Sequence, residues 1–132
     1  MNTKIDTKID NIFDFHGTHY LSSFNDCNNS ALTNINILRD IIKNAIIESG
    51  ATIIDFTEKI FDNNGYTIVY LLTESHCSIH TYPEHNALFT DLFTCGNNCS
   101  YDIYEKSLKK YLEPMDIQKK VIIRTHKNKI LL

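Results

Sequence analysis

The segment Asp62-Asn63-Asn64-Gly65 constrains the fold of this chain more than any other. It separates two strand-like runs, residues 51–61 and 66–73, and Asn-Gly is a pair suited to the positive φ of a tight hairpin. The second run contains Ile68-Val69-Tyr70-Leu71-Leu72, which reads as a buried strand. Further strands are expected at 19–24, 77–81, 87–94 and 121–123. Ile35, Leu38, Ile41, Ile42, Ala45 and Ile46 recur at helical spacing, and Gly50 suits the stop. Asn25 to Ser30 reads as a turn cluster with several N-cap residues. Ser100 caps a second helix whose Tyr101, Tyr104, Leu108, Tyr111 and Leu112 share a face, with Pro114 just past its end. The order β-α-β-β-β-β-α-β predicts an α+β fold. It is a two-layer sandwich, a mostly antiparallel sheet with two main helices on one face. Residues 1–132 are expected to be one domain, with 1–15 a loose polar leader.

Charge and composition narrow the function classes. The net charge is −3, so nothing argues for nucleic acid as a partner. The late cations Lys106, Lys109, Lys110, Lys119, Lys120, Arg124, Lys127 and Lys129 read as a solvated helix face and tail. No apolar run approaches membrane-spanning length, and no signal peptide precedes the first strand. Cys27, Cys77, Cys95 and Cys99 show no CxxC pairing and are expected to be free thiols in the cytoplasm.

Reactive side chains concentrate just after the buried strand. Thr73-Glu74-Ser75-His76-Cys77-Ser78-Ile79-His80-Thr81-Tyr82-Pro83-Glu84 is followed by Phe93-Thr94-Cys95-Gly96. Such a cluster at a strand end is where a rigid scaffold presents catalytic groups. Ser75 stands next to the carbonyl of Glu74 and can attack it in an N→O acyl shift, although a single Glu-Ser-His is more often a polar turn or cap. His76 and His80 share strand parity and Ser75 does not, so bringing Ser75 to His80 needs a bend near 75–76. A zinc site from His76, His80, Cys95 and Cys99 matches no common structural spacing, and no metal is expected. Cys95 with His80 as nucleophile and base lacks an oxyanion-hole motif. Cys77 and Cys99 read most simply as small buried residues.

Taken together, Glu74-Ser75-His76, Ile79-His80-Thr81-Tyr82-Pro83-Glu84 and Phe93-Thr94-Cys95-Gly96 resemble the processing and active-site region of a known family. That family is S-adenosylmethionine decarboxylase of the small bacterial and archaeal type. Gly17-Thr18-His19-Tyr20-Leu21 with Cys27, and Glu48-Ser49-Gly50-Ala51-Thr52-Ile53, extend the likeness, which runs from about residue 16 to 126.

The resemblance implies a pyruvoyl cofactor made from Ser75. The serine attacks the Glu74 carbonyl, the ester is eliminated, and the chain is cut between 74 and 75. His80 is implied as the base that removes the Ser75 α-proton, a role suited to imidazole at neutral pH. Thr67, where the family often has Ser, is implied to assist. The pyruvoyl ketone then takes the substrate amine as an iminium (Schiff base), which delocalises the carbanion left by carbon dioxide. Cys95 is implied to protonate that carbanion. Phe61 and His80 are implied to stack the adenine and Glu84 to accept from the ribose hydroxyls, as a flat apolar face and a carboxylate can. The bland readings are a core aromatic for Phe61 and a surface carboxylate for Glu84. The implied substrate is S-adenosylmethionine, the product feeds spermidine synthesis, and the assembly is a homodimer of cleaved protomers with active sites near the interface.

His85-Asn86 and the Asn97-Asn98-Cys99 stretch depart from the family pattern close to where specificity is set. The alternative enzyme reading is pyruvoyl-dependent decarboxylation of arginine or ornithine. A further alternative is an inactive partner subunit of a homologue, against which both Ser75 and Cys95 are retained.

Overall fold

The turn at 62–65 closes a hairpin between β2 (Ile53–Ile60) and β3 (Tyr66–Leu72). Asn64 takes the positive φ, 64°, while Asn63 Oδ1 accepts from the Gly65 N–H at 2.9 Å. Asn tolerates the left-handed region because its short side chain bonds locally. The computed structural model describes residues 16–95, 97–125 and the backbone of 130–131. The expected leader at 1–15, Gly96, Lys127 and Lys129 lie outside the described residues.

The other strands are β1 (His16–Asn25), β4 (Ser75–Tyr82), β5 (Ala87–Cys95), β6 (Asp116–Thr125) and the short β7 (Ile130–Leu131). They form one sheet in the order β2-β3-β4-β5-β1-β6-β7, and every neighbouring pair is antiparallel. Helix α1 (Asn29–Thr33) occupies part of the stretch expected as a turn, because Asn28 caps it by accepting from the Ala31 N–H. Helix α2 (Ile35–Glu48) ends as expected at Gly50. That residue has φ +104°, and a Cβ there would collide with the Asn98 carbonyl oxygen. Helix α3 (Tyr101–Leu112) starts at the Ser100 cap.

Strand alternation gives the sheet two unlike faces. Tyr66, Ile68, Tyr70 and Leu72 of β3 are buried, as are Cys77, Ile79, Leu88, Leu92, Tyr20 and Phe24 of its neighbours. Leu38, Ile42, Ala45 and Ile46 of α2 and Tyr104, Leu108 and Leu112 of α3 complete the same core. Each such aliphatic side chain contributes roughly 1.5–3 kcal/mol by leaving water, so this face holds the sandwich together. The sandwich is α+β, as expected from the element order.

Among the described residues no helix covers the other face, and the register there can be read row by row. Leu71 lies beside His76, Phe93 and His19. Val69 lies beside Ser78, Asp91 and Leu21, and Thr67 beside His80, Phe89 and Ser23. Leu71, Val69, Leu21 and Phe89 are all exposed.

Candidate active site

Residues 73–74 form the tight turn between β3 and β4, and Ser75 opens β4. The Thr73 N–H donates to the Thr52 carbonyl at 2.9 Å, and the Thr52 N–H donates to Glu74 Oε1 at 2.9 Å. Two bonds to one residue therefore fix the turn. Ser75 is left with φ 148°, a region that L-residues rarely adopt and that stores strain. From Ser75 onward β4 nevertheless pairs in unbroken register on both sides, so the bend or bulge expected near 75–76 does not form.

The Glu74 carbonyl oxygen accepts from the backbone N–H of Cys95 at 2.8 Å. That donor polarises the carbonyl next to Ser75 and is oriented to hold negative charge on its oxygen. No side-chain motif encodes it, which is why the sequence gives no sign of an oxyanion donor. The Cys95 thiol is exposed and lies 3.6 Å from Ser75 Oγ. Ser75, the Glu74 carbonyl and Cys95 accordingly meet at one end of β4. Gly96 lies outside the described residues.

His80 stands at the other end. It pairs with Thr67 on β3 and Phe89 on β5, whereas Ser75 pairs with Leu72 and Thr94. Five residues of strand at about 3.3 Å each separate the two, roughly 16 Å, so within one chain His80 does not reach Ser75. His80 Nδ1 lies 3.2 Å from Thr67 Oγ1. Phe61, Thr67, His80 and Glu84 line one cavity of about 310 Å³ with Asn63 and Tyr82. Phe61 is 48% exposed, which excludes the core reading. Glu84 sits in a single 3₁₀ turn (Pro83–His85), and Asn63 Nδ2 donates to its Oε2 at 3.1 Å. Asn63 is a contributor that sequence reasoning treated only as a turn residue.

The candidate zinc ligands do not assemble as a set. Cys95 is with Ser75, His80 is with Thr67, and His76 turns toward Asp91, 3.2 Å away. The same Asp91 oxygen accepts from His19 Nε2 at 2.7 Å, and Ser78 Oγ bonds its other oxygen. Burial works against the Asp91 charge, but hydrogen bonds from Ser78, His19 and His76 outweigh it and hold the carboxyl below its ordinary range. Cys77 is buried against the Tyr104 hydroxyl, and desolvation pushes its thiol up to about 12, so it is an inert core residue. Cys27 is likewise buried, Cys99 is half-buried, and all four cysteines are free.

The sequence profile of S-adenosylmethionine decarboxylase matches residues 18–125. The S-adenosylmethionine decarboxylase proenzyme of Thermotoga maritima is 36% identical over 97 residues, covering 70% of this chain and 75% of that protein. Proenzyme 2 of Bacillus cereus is 37% identical over 95 residues, covering 72% and 77%. The crystal structure of the Aquifex aeolicus adenosylmethionine decarboxylase superposes with a TM-score of 0.75 at 28% identity, covering 90% of this chain and 95% of that one.

Proposed function

The chain belongs to the S-adenosylmethionine decarboxylase family, and we propose that it activates itself by cutting between Glu74 and Ser75 to leave a pyruvoyl group at residue 75. Its reaction is decarboxylation of S-adenosylmethionine to S-adenosyl 3-(methylthio)propylamine, the aminopropyl donor for spermidine. The observation that carries the processing step is the backbone at 74–75. A strained Ser75 stands beside a carbonyl that the Cys95 N–H holds at 2.8 Å.

In that step Ser75 Oγ bonds to the Glu74 carbonyl carbon as the peptide C–N bond breaks, and the hydroxyl proton passes to the residue 75 nitrogen, giving an ester and a free amine. The strain at Ser75 favours leaving the planar amide, and the Cys95 N–H holds the oxygen as it gains charge. A base then removes the residue 75 α-proton, the Glu74 carboxylate departs, and water replaces the nitrogen as ammonia. Once formed, the pyruvoyl carbonyl draws off the negative charge left when carbon dioxide leaves. Cys95, beside residue 75, delivers the proton that replaces the carboxylate. In the second half-site Phe61 and His80 hold the adenine between two flat faces, Glu84 accepts from the ribose, and Thr67 orients the His80 ring.

The two half-sites lie at opposite ends of β4. A homodimer related by a two-fold axis across the uncovered face sets the Ser75–Cys95 end of one copy against the His80 end of the other. Exposed Leu21, Val69, Leu71 and Phe89 on that face give such an interface its apolar area.

Intact mass and carbon dioxide release from S-adenosylmethionine, arginine and ornithine test the reading together. Expected are fragments 1–74 and 75–132, the second blocked at its N-terminus, and turnover of S-adenosylmethionine. Active protein consisting only of full-length chain refutes the pyruvoyl group. Turnover of arginine or ornithine in its place refutes the nucleoside pocket.

A further inference from the structure

Three side chains in the middle of the uncovered sheet face have no part in the reaction just described. They are His76 on β4, Asp91 on β5 and His19 on β1, the three adjacent central strands. Their donor atoms all lie within 4.8 Å of one another. His19 Nε2 and His76 Nε2 approach the same Asp91 Oδ2, at 2.7 and 3.2 Å.

We infer that His19, His76 and Asp91 form a binding site for one divalent transition-metal ion of the Zn²⁺ class. Bonds of about 2.0–2.1 Å at tetrahedral angles put neighbouring donor atoms roughly 3.3 Å apart, and the two histidine–Asp91 separations, 2.7 and 3.2 Å, are near that value. With every donor pair within 4.8 Å, seating an ion asks for movement of side chains, not a rearranged backbone. Two imidazoles with one carboxylate suit Zn²⁺, Co²⁺ or Ni²⁺, whereas Mg²⁺ and Ca²⁺ prefer oxygen donors.

The surroundings favour a held geometry. Ser78 bonds the far oxygen of Asp91, which fixes the carboxylate and leaves Oδ2 toward the imidazoles. Phe93 packs against both rings, at 5.2 Å from His19 and 5.6 Å from His76 between centroids. The nearby Arg124 guanidinium lies over the Phe93 ring at 4.8 Å, and the ion pairs of Asp91 among the described residues are with the two histidines. In the single chain the side chains of His19, His76 and Asp91 are 19%, 42% and 20% exposed, and the dimer proposed across this face places the site within that interface. Without metal each Nε2–H donates to Asp91. Binding uses the Nε2 lone pairs, so each proton moves to Nδ1 or is released. The ion ties three strands together immediately beside Ser75, and it requires nothing of the decarboxylation reading.

The test uses the full purified chain, stripped with a chelator and titrated with Co²⁺ and then Zn²⁺. One Co²⁺ per chain is expected, with visible absorption bands of a four- or five-coordinate ion that Zn²⁺ displaces. His19→Gln, His76→Gln and Asp91→Asn should each weaken binding at least about tenfold. Cys95→Ser should leave it unchanged, which separates this site from one built on the exposed thiol. Should a variant fail to fold, ring ¹⁵N shifts of the unmodified protein decide: Zn²⁺ should move the His19 and His76 signals and spare His85. No stoichiometric uptake, uptake indifferent to the three substitutions, or uptake lost with Cys95→Ser overturns the site. The three residues are then an ordinary hydrogen-bonded cluster.

Discussion

Ser75 and His80 sit roughly 16 Å apart on one strand, at about 3.3 Å per residue, so a site that needs both must draw them from two copies. Co-expression of Cys95→Ala with His80→Ala turns this into numbers. Each homodimer is defective at both sites. In a mixed dimer, one site takes Ser75 and Cys95 from the His80→Ala chain and His80 from its partner, and is intact. The other site carries both defects. Random pairing makes about half the dimers mixed, each with one good site of two, so activity should reach about a quarter of the unmodified level. Processing gives a sharper reading by intact mass. About half of the His80→Ala chains should now be cut, because their partner supplies the histidine. About half of the Cys95→Ala chains should become uncut, because theirs does not. A site contained within one chain predicts no activity, no rescue of His80→Ala and full cutting of Cys95→Ala. That pattern would refute the shared site, and with it the assignment of the two half-sites to different copies.

Cys95→Ala alone should still process but lose most decarboxylation, since its backbone N–H stays on the Glu74 carbonyl while the proton donor is gone. Intact mass with single-turnover carbon dioxide release checks it. Phe61→Ala should cost roughly 1–3 kcal/mol of transition-state binding, a fall of about 5- to 150-fold in kcat/KM for S-adenosylmethionine. Its ring is half exposed, so stability and self-cleavage should hardly change, and a matched loss in processing would count against the pocket. A charge pair between α2 and β2 contributes to the acid limb of stability. The Arg39 guanidinium donates to both Glu58 oxygens at 2.8 Å and holds that carboxyl below its ordinary range. A lowered carboxylate stabilises the fold above its unfolded pKa and ceases to as pH falls through the folded one. Arg39→Ala should therefore lower Tm by a few degrees at pH 7, with a cost of about 1 kcal/mol or less, and by little at pH 3.

Local signals carried most of the fold. The apolar periodicity of Ile35 to Ile46, the Ser100 cap and the 62–65 turn each act over a few residues, and each forms where the sequence places it. The short α1 was hidden because Asn28 serves equally as turn residue and helix cap. What the sequence could not show depends on register between strands. Asp91 meets His19 from 72 positions away, and the Cys95 N–H reaches the Glu74 carbonyl only because β4 and β5 pair as they do. The same limit bears on Glu74, whose side chain the motif marked only as part of a cleavage site. In the fold its carboxylate accepts from the Thr52 N–H at 2.9 Å and pins the turn that strains Ser75. An exposed hydrogen bond of this kind contributes about 0.5–1.5 kcal/mol. Glu74→Ala should therefore slow self-cleavage by about two- to tenfold, whereas Ser75→Ala should abolish it. Glu74→Gln keeps an acceptor at the same place and should process at close to the unmodified rate. Time courses of chain cutting distinguish these cases. If Glu74→Gln and Glu74→Ala slow equally, the charge of Glu74 rather than its bond to Thr52 sets the geometry, and the clamp at Thr52 is not what holds Ser75 for attack.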